Sequence, residues 1–185
     1  MQTKNYNRAL AQFHQALRLE SSQETALAGA GEASFQMALY EEAREYLGRA
    51  VKENPADVNA ARLLEMTNLV LGIDPFDHRI SAWERVRRVV RAFDEAVARL
   101  EQCAQSHGDL LETSQPQTLI ESVYARIQKL RSRVRAQALR RNPDLITQVM
   151  DVVVEAETVA SSSCGPPQGL NQAILLAAQR HSGGQ

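Results

Sequence analysis

Tyr6-Asn-Arg-Ala9-Leu-Ala-Gln-Phe13-His-Gln-Ala16-Leu17 returns 34 residues later, without a gap, as Tyr40-Glu-Glu-Ala43-Arg-Glu-Tyr-Leu47-Gly-Arg-Ala50-Val51. An aromatic residue, a small one, a bulky apolar one and a second small one keep register at steps of three, four and three, which places them on one face of a helix. Between the two copies, Leu27, Ala30, Gly31 and Ser34 mark a second helical face, and Asn54-Pro55 closes the unit. Self-similarity at a fixed period means one supersecondary unit used repeatedly, here a pair of helices over about residues 24–57. The residue types form a packing code. Gly31 lets the two helices approach, Ala43 and Ala50 leave gaps at their crossing, and Leu47 fills the space between them.

This pattern resembles the tetratricopeptide repeat (TPR), and the resemblance covers about residues 1–72. Leu27 stands where many members of that family carry Trp, and Ser21 stands in the first unit where Pro55 stands in the second. The resemblance implies a short right-handed α-α superhelix. Projected backwards, the period puts Met1 near the end of a first helix, so an N-terminally truncated piece opening on a half repeat is expected. Projected forwards, Val58 to Leu71 supplies a further first helix, and Gly72-Ile-Asp-Pro75 then interrupts the array. About two units are fewer than the three that such arrays use for independent stability.

Composition agrees with a helical chain. Of 185 residues, 44% are hydrophobic and 23% charged, and nine Gly with six Pro leave room for long uninterrupted elements. Lys plus Arg is 21 and Asp plus Glu is 22, so a net charge of -1 gives no global attraction to nucleic acid or anionic lipid. No apolar run approaches the ~18 residues of a membrane span, and residues 1–12 lack the core of a signal peptide; a soluble, cytoplasmic protein is expected. Two cysteines, Cys103 and Cys164, suggest no disulfide framework.

From Ser81 the periodicity changes. Ser81-Ala-Trp-Glu84 reads as a capping box, and Trp83, Val86, Val90, Phe93, Val97 and Leu100 form a stripe that His107-Gly108 ends. Ile120, Val123, Ile127, Leu130 and Val134 form a second stripe, ended by Asn142-Pro143. The two stripes predict an antiparallel hairpin, within one chain or between two copies. Asp144 to Ala160 is apolar over too broad an arc for one seam and should pack on two sides. Ser161 to Gly169 reads as a loop, residues 170–181 as a short helix, and Ser182-Gly-Gly-Gln185 as a fraying tail. The expected architecture is therefore all-α: TPR-like helix pairs over residues 1–75 and a helical bundle or cap over 76–185.

Catalytic motifs for zinc hydrolysis, phosphate binding, serine nucleophiles or dithiol redox chemistry do not occur, and no enzyme, cofactor or metal site is expected. Cys103 and His107 lie one helical turn apart, but two ligands fall short of a zinc set; a buried thiol and a helix-terminal histidine are the simpler reading. Arg126, Lys129, Arg131, Arg133 and Arg135 lead a stretch of seven cations without an acid up to Arg141, a candidate anion-binding surface. Their spacing spreads them around a helix and no aromatic residue interleaves them, so nucleic acid is the less favoured partner.

The TPR resemblance carries the functional expectation. In that family the first helix of each unit lines a concave groove that takes a peptide or partner helix. Here it maps to Thr25, Ala28, Glu32, Phe35 and Gln36, then to Asn59, Arg62, Met66, Leu69 and Val70. Ala28 and Glu32 occupy places where related chaperone-binding modules carry two carboxylate-clamping residues, so recognition of a free C-terminus is not implied. A non-catalytic protein–protein interaction module is expected. The alternatives are an accessory helical domain of a larger enzyme or assembly, and an anion-binding protein using residues 126–141.

Overall fold

A computed structural model describes residues 2–109, 111 and 115–182, with the side chains of residues 2–4 and 182 outside the description. The expected fraying of the tail falls largely outside the described residues. Among them there are nine helices and no strand, so the fold is all-α. The chain divides into two compact units, Met1–Leu71 and Gly72–Gln185.

The first unit contains α1 (Gln2–Leu19), α2 (Glu24–Gln36), α3 (Tyr40–Glu53) and most of α4 (Val58–Ile73). The packing code works as its residue types dictate. Leu27, Ala43, Leu47 and Ala50 are fully buried, and Ala60 from α4 joins them. A Cβ built on Gly31 would lie 2.5 Å from Leu47 Cγ and 3.1 Å from the Leu47 amide nitrogen, so only glycine permits this approach of α2 to α3. Leu10, Ala30 and Ala33 form the next layer, with Tyr6, Phe13, Leu17, Met37 and Tyr46 against it. Polar contacts fix the same arrangement: Tyr46 Oη lies 2.9 Å from His14 Nε2, and Asn54 Nδ2 donates to Glu24 Oε1 at 2.7 Å. Burial is the leading cause of a raised Tyr46 pKa, helped by Glu42 and Glu45, which keeps that hydroxyl protonated.

The turn from α2 to α3 is a Schellman motif. The Leu39 amide donates to the Ser34 carbonyl at 2.9 Å and the Ala38 amide to Phe35 at 3.0 Å. Ala38 takes the left-handed conformation, φ 57°, where glycine is usual.

The second unit contains α5 (Ala82–His107), α6 (Leu119–Arg131), α7 (Ala136–Arg141), α8 (Pro143–Cys164) and α9 (Gly169–Ser182). Helix α8 packs against all four of the others, and its principal partner is α5. That differs from a hairpin of the two long stripes, since α6 packs more on α8 than on α5. The reason is the width of the apolar arc on α8, where Leu145, Ile146, Val149, Met150, Val152, Val153 and Ala156 are all buried and need cover on more than one side.

Several local readings also change. Trp83 is 62% exposed and does not join the core, since the first turn of α5 lies uncovered and the guanidinium of Arg87 sits 5.3 Å from the indole centroid. At Ser81 only half of the capping box forms: its hydroxyl accepts from the Glu84 amide, while the Glu84 carboxylate is held by Arg87 and Arg88. A complete box closes at Thr118 and Glu121 instead. The helix carrying the second stripe stops at Arg131, so Val134 and Arg135 lie in a turn, with the Val134 amide bonded to the Leu130 carbonyl. The serines after Ala160 stay helical, their Ser161 and Ser162 hydroxyls turned back onto carbonyls of the preceding turn rather than capping a new element. The loop is thereby shortened to residues 165–168. Finally, Cys103 and Cys164 form a disulfide, with Cα atoms 5.7 Å apart, in place of a buried thiol and a loop cysteine. The fold sets the end of α8 beside the end of α5, a proximity that two cysteines 61 residues apart do not announce.

Candidate functional site

Helix α2 has two unlike faces. Ala26, Leu27, Ala30, Gly31, Ala33 and Ser34 are buried between α1 and α3. The opposite side presents Thr25, Glu32 and Gln36 to solvent, with Ala28 and Phe35 half-buried beneath them. Thr25, Ala28, Glu32 and Phe35 recur at steps of three, four and three, and Gln36 lies four beyond Glu32, so they form one stripe along the helix. Phe35 is held by an edge-on contact with the buried Tyr40 ring, centroids 5.6 Å apart, and by the core cluster under it. On α4, Asn59 and Arg62 are exposed and Met66 and Leu69 half-buried along a matching stripe. Val70 departs from the expected set: it is fully buried and offers nothing to a partner. Its place one residue beyond Leu69 turns it toward the core side of the helix.

Chemically, the two stripes combine apolar surface (Ala28, Phe35, Met66, Leu69) with hydrogen-bonding groups (Thr25, Gln36, Asn59) and one charge of each sign (Glu32, Arg62). Such a mixture suits a polypeptide that carries both side-chain bulk and amide groups.

The basic stretch does not assemble into one surface. Arg126 is paired with Glu155 of α8 at 2.5 Å. Lys129 and Arg131 lie in the last turn of α6, where cations complement the negative end of the helix. Arg133 and Arg135 lie in the turn that follows, so the five do not share a helix face. Arginines at and before the start of α5 are engaged structurally: Arg79 holds Asp77, Arg85 the Pro75 carbonyl, and Arg88 both Glu84 and the Asp74 carbonyl. The Arg79 guanidinium holds the Asp77 carboxyl down to about 2.

Sequence reading missed two features of the second unit. Arg99 donates to the fully buried Glu157 at 2.9 Å and to the Gly165 carbonyl at 2.8 Å, which ties α5 to the end of α8. Burial outweighs the attraction of Arg99 and pushes the Glu157 carboxyl up to about 7. Its signal was present: a glutamate flanked by Val153, Ala156, Val159 and Ala160, on a stripe otherwise apolar. The second feature is a cleft of about 550 Å³ that includes Trp83, Val90 and Arg140 in its walls. Nothing in the stripe pattern separated Trp83 from the core residues.

Among the described residues, no helix is long and apolar enough to cross a membrane. Comparison with known proteins bears on the first unit, where residues 1–66 match the family model for the tetratricopeptide repeat. No curated protein and no solved structure matches the chain significantly. Tetratricopeptide repeats are in general protein–protein interaction modules. The matched residues contain the 34-residue echo, the Gly31–Leu47 approach and the α2 stripe, and residues 1–66 are therefore tetratricopeptide-repeat-like.

Proposed function

We propose that the chain is a non-catalytic adaptor that binds a peptide or a partner helix along the stripes of α2 and α4, through Thr25, Ala28, Glu32, Phe35, Gln36, Asn59, Arg62, Met66 and Leu69. One observation carries this reading: α2 buries one face completely in its own repeat while the opposite face, centred on Glu32 and Phe35, stays accessible. The partner is a protein, in keeping with the repeat family.

Peptides selected from a random displayed library on the purified full chain test the proposal. Binding by the selected peptides should fall at least ~10-fold in Phe35→Glu and in Met66→Glu, with helical circular dichroism unchanged. Peptides that bind both variants as tightly as the original protein would place recognition elsewhere.

A further inference from the structure

At one end of the second unit, three groups with metal-ligating chemistry converge. Cys103 is buried in the last turns of α5, His107 follows one helical turn later, and Cys164 ends α8. One ligand atom from each lies within 4.8 Å of the other two. The two sulfurs are joined as a disulfide, which withholds both from any cation.

We propose that Cys103, His107 and Cys164 are a redox-gated site for a single soft divalent cation, Zn2+ being the best fit: closed as a disulfide, open as a Cys2His ligand set when reduced. A dithiol reductant delivers two electrons and two protons to the S–S bond and becomes a disulfide itself. Zn2+ then displaces the two thiol protons, forming two Zn–S bonds and one Zn–N bond.

Three observations support the assignment. First, the distances suit it. Zn–S bonds of ~2.3 Å and a Zn–N bond of ~2.0 Å at tetrahedral angles require sulfurs ~3.8 Å apart and S···N separations of ~3.5 Å, inside the span the three groups already occupy. The movement needed falls on Cys164, which is exposed at the helix end and followed by Gly165, while Cys103 is locked in the core.

Second, the tautomer of the histidine suits a ligand. Its Nε2 lies 3.0 Å from the Ser163 carbonyl oxygen, which only accepts, so in the neutral ring Nε2 carries the proton and Nδ1 keeps its lone pair. A backbone carbonyl on the second ring nitrogen is the usual device for fixing a metal-binding imidazole. Third, there is room for a fourth ligand. An open cleft of about 290 Å³ reaches both cysteines, with Gln102, Ser106 and Asn171 in its walls. A water, or a donor from a bound partner, completes the tetrahedron there.

Two thiolates and an imidazole favour Zn2+ over the hard cations Mg2+ and Ca2+, and their charge cancels that of the ion. The site is independent of the α2 and α4 stripes, so it stands or falls separately from the adaptor function.

Co2+ is the spectroscopic probe. The full chain, reduced with a phosphine and freed of it without oxygen, should bind one Co2+ per chain. It should then show sulfur-to-cobalt charge transfer and the intense visible bands of a tetrahedral ion, and one equivalent of Zn2+ should erase both. The oxidised chain should show neither. His107→Ala alters an exposed residue and keeps the fold; it should weaken binding at least ~10-fold. Cys164→Ser should abolish the charge-transfer band of a two-thiolate site. The proposal is overturned if reduced protein gives no stoichiometric tetrahedral spectrum, or if His107→Ala or the disulfide form binds as well as the reduced original. A reduced chain that loses its helical signal and fails to regain it with Zn2+ overturns it equally.

Discussion

Replacing Gly31 by alanine puts the repeat packing to a quantitative test. The added methyl would sit 2.5 Å from Leu47 Cγ and 2.7 Å from Leu47 Cδ2, against an ordinary carbon contact of ~3.8 Å. Leu47 cannot swing away cheaply, because it is fully buried among Leu27, Ala43 and Ala50, and its amide nitrogen, only 3.1 Å off, belongs to the α3 backbone. Helix α3 must therefore move off α2, and overpacking of this kind costs up to ~3 kcal/mol. Alanine returns ~1 kcal/mol of helix propensity, which leaves a net loss of about 2 kcal/mol. For a unit this small that lowers the thermal midpoint by roughly 10 °C. Gly48 is the internal control: it lies inside α3 as Gly31 lies inside α2, but nothing comes within 4 Å of its Cβ position, so Gly48→Ala should stabilise by ~1 kcal/mol. Urea unfolding followed by far-ultraviolet circular dichroism measures both variants, while fluorescence of Trp83 reports the second unit. If Gly31→Ala proves no less stable than Gly48→Ala, the close approach of α2 and α3 is wrong.

Other perturbations have equally definite signs. Because burial raises the Glu157 carboxyl from 4.5 to about 7, the neutral form is the one the fold favours. The associated stability is complete below about pH 4.5 and is lost as pH rises through 7, to a total of roughly 3 kcal/mol. Urea midpoints read by Trp83 fluorescence should fall across that range, and Glu157→Gln should flatten the slope; an unchanged slope refutes the assignment. Ala38→Gly relieves a left-handed alanine, φ 57°, and should stabilise the first unit by ~1 kcal/mol in the same urea assay. Thr118→Ala removes the hydroxyl that accepts from the Glu121 amide and should cost ~1 kcal/mol; Thr118→Ser should restore most of it. Reducing the Cys103–Cys164 bond opens a closure spanning 61 residues and should cost up to ~4 kcal/mol, read as a lower urea midpoint than that of the oxidised chain.

The repeat unit was readable because its code is local and periodic. Tyr40, Ala43, Leu47 and Ala50 sit on one turn-by-turn face, and steric size alone says which can lie at a helix crossing. The stripe of α2 was legible for the same reason, since burying Leu27, Ala30 and Ser34 forces Ala28, Glu32 and Phe35 to the other side. Val70 was misplaced because two adjacent positions on a helix differ by ~100°, and a stripe edge drawn from sequence is uncertain by about that much.

The second unit was harder. Its stripes said which residues are apolar, not which helix each one meets, and Trp83 satisfies the pattern of α5 without being covered. Helix α6 ends at Arg131 although nothing stronger than Ser132 and Val134 marks the stop.

Local spacing and side-chain volume, then, suffice for helices, for the repeat and for the face it turns outward, because those depend on neighbours three and four residues away. The Cys103–Cys164 bond, the approach of His107 to Ser163 and the Arg99–Glu157 pair join residues more than fifty positions apart. No periodicity spans such distances. Only the packing of α8 against α5 brings these groups within bonding range, and it does so because a broad apolar arc must be covered.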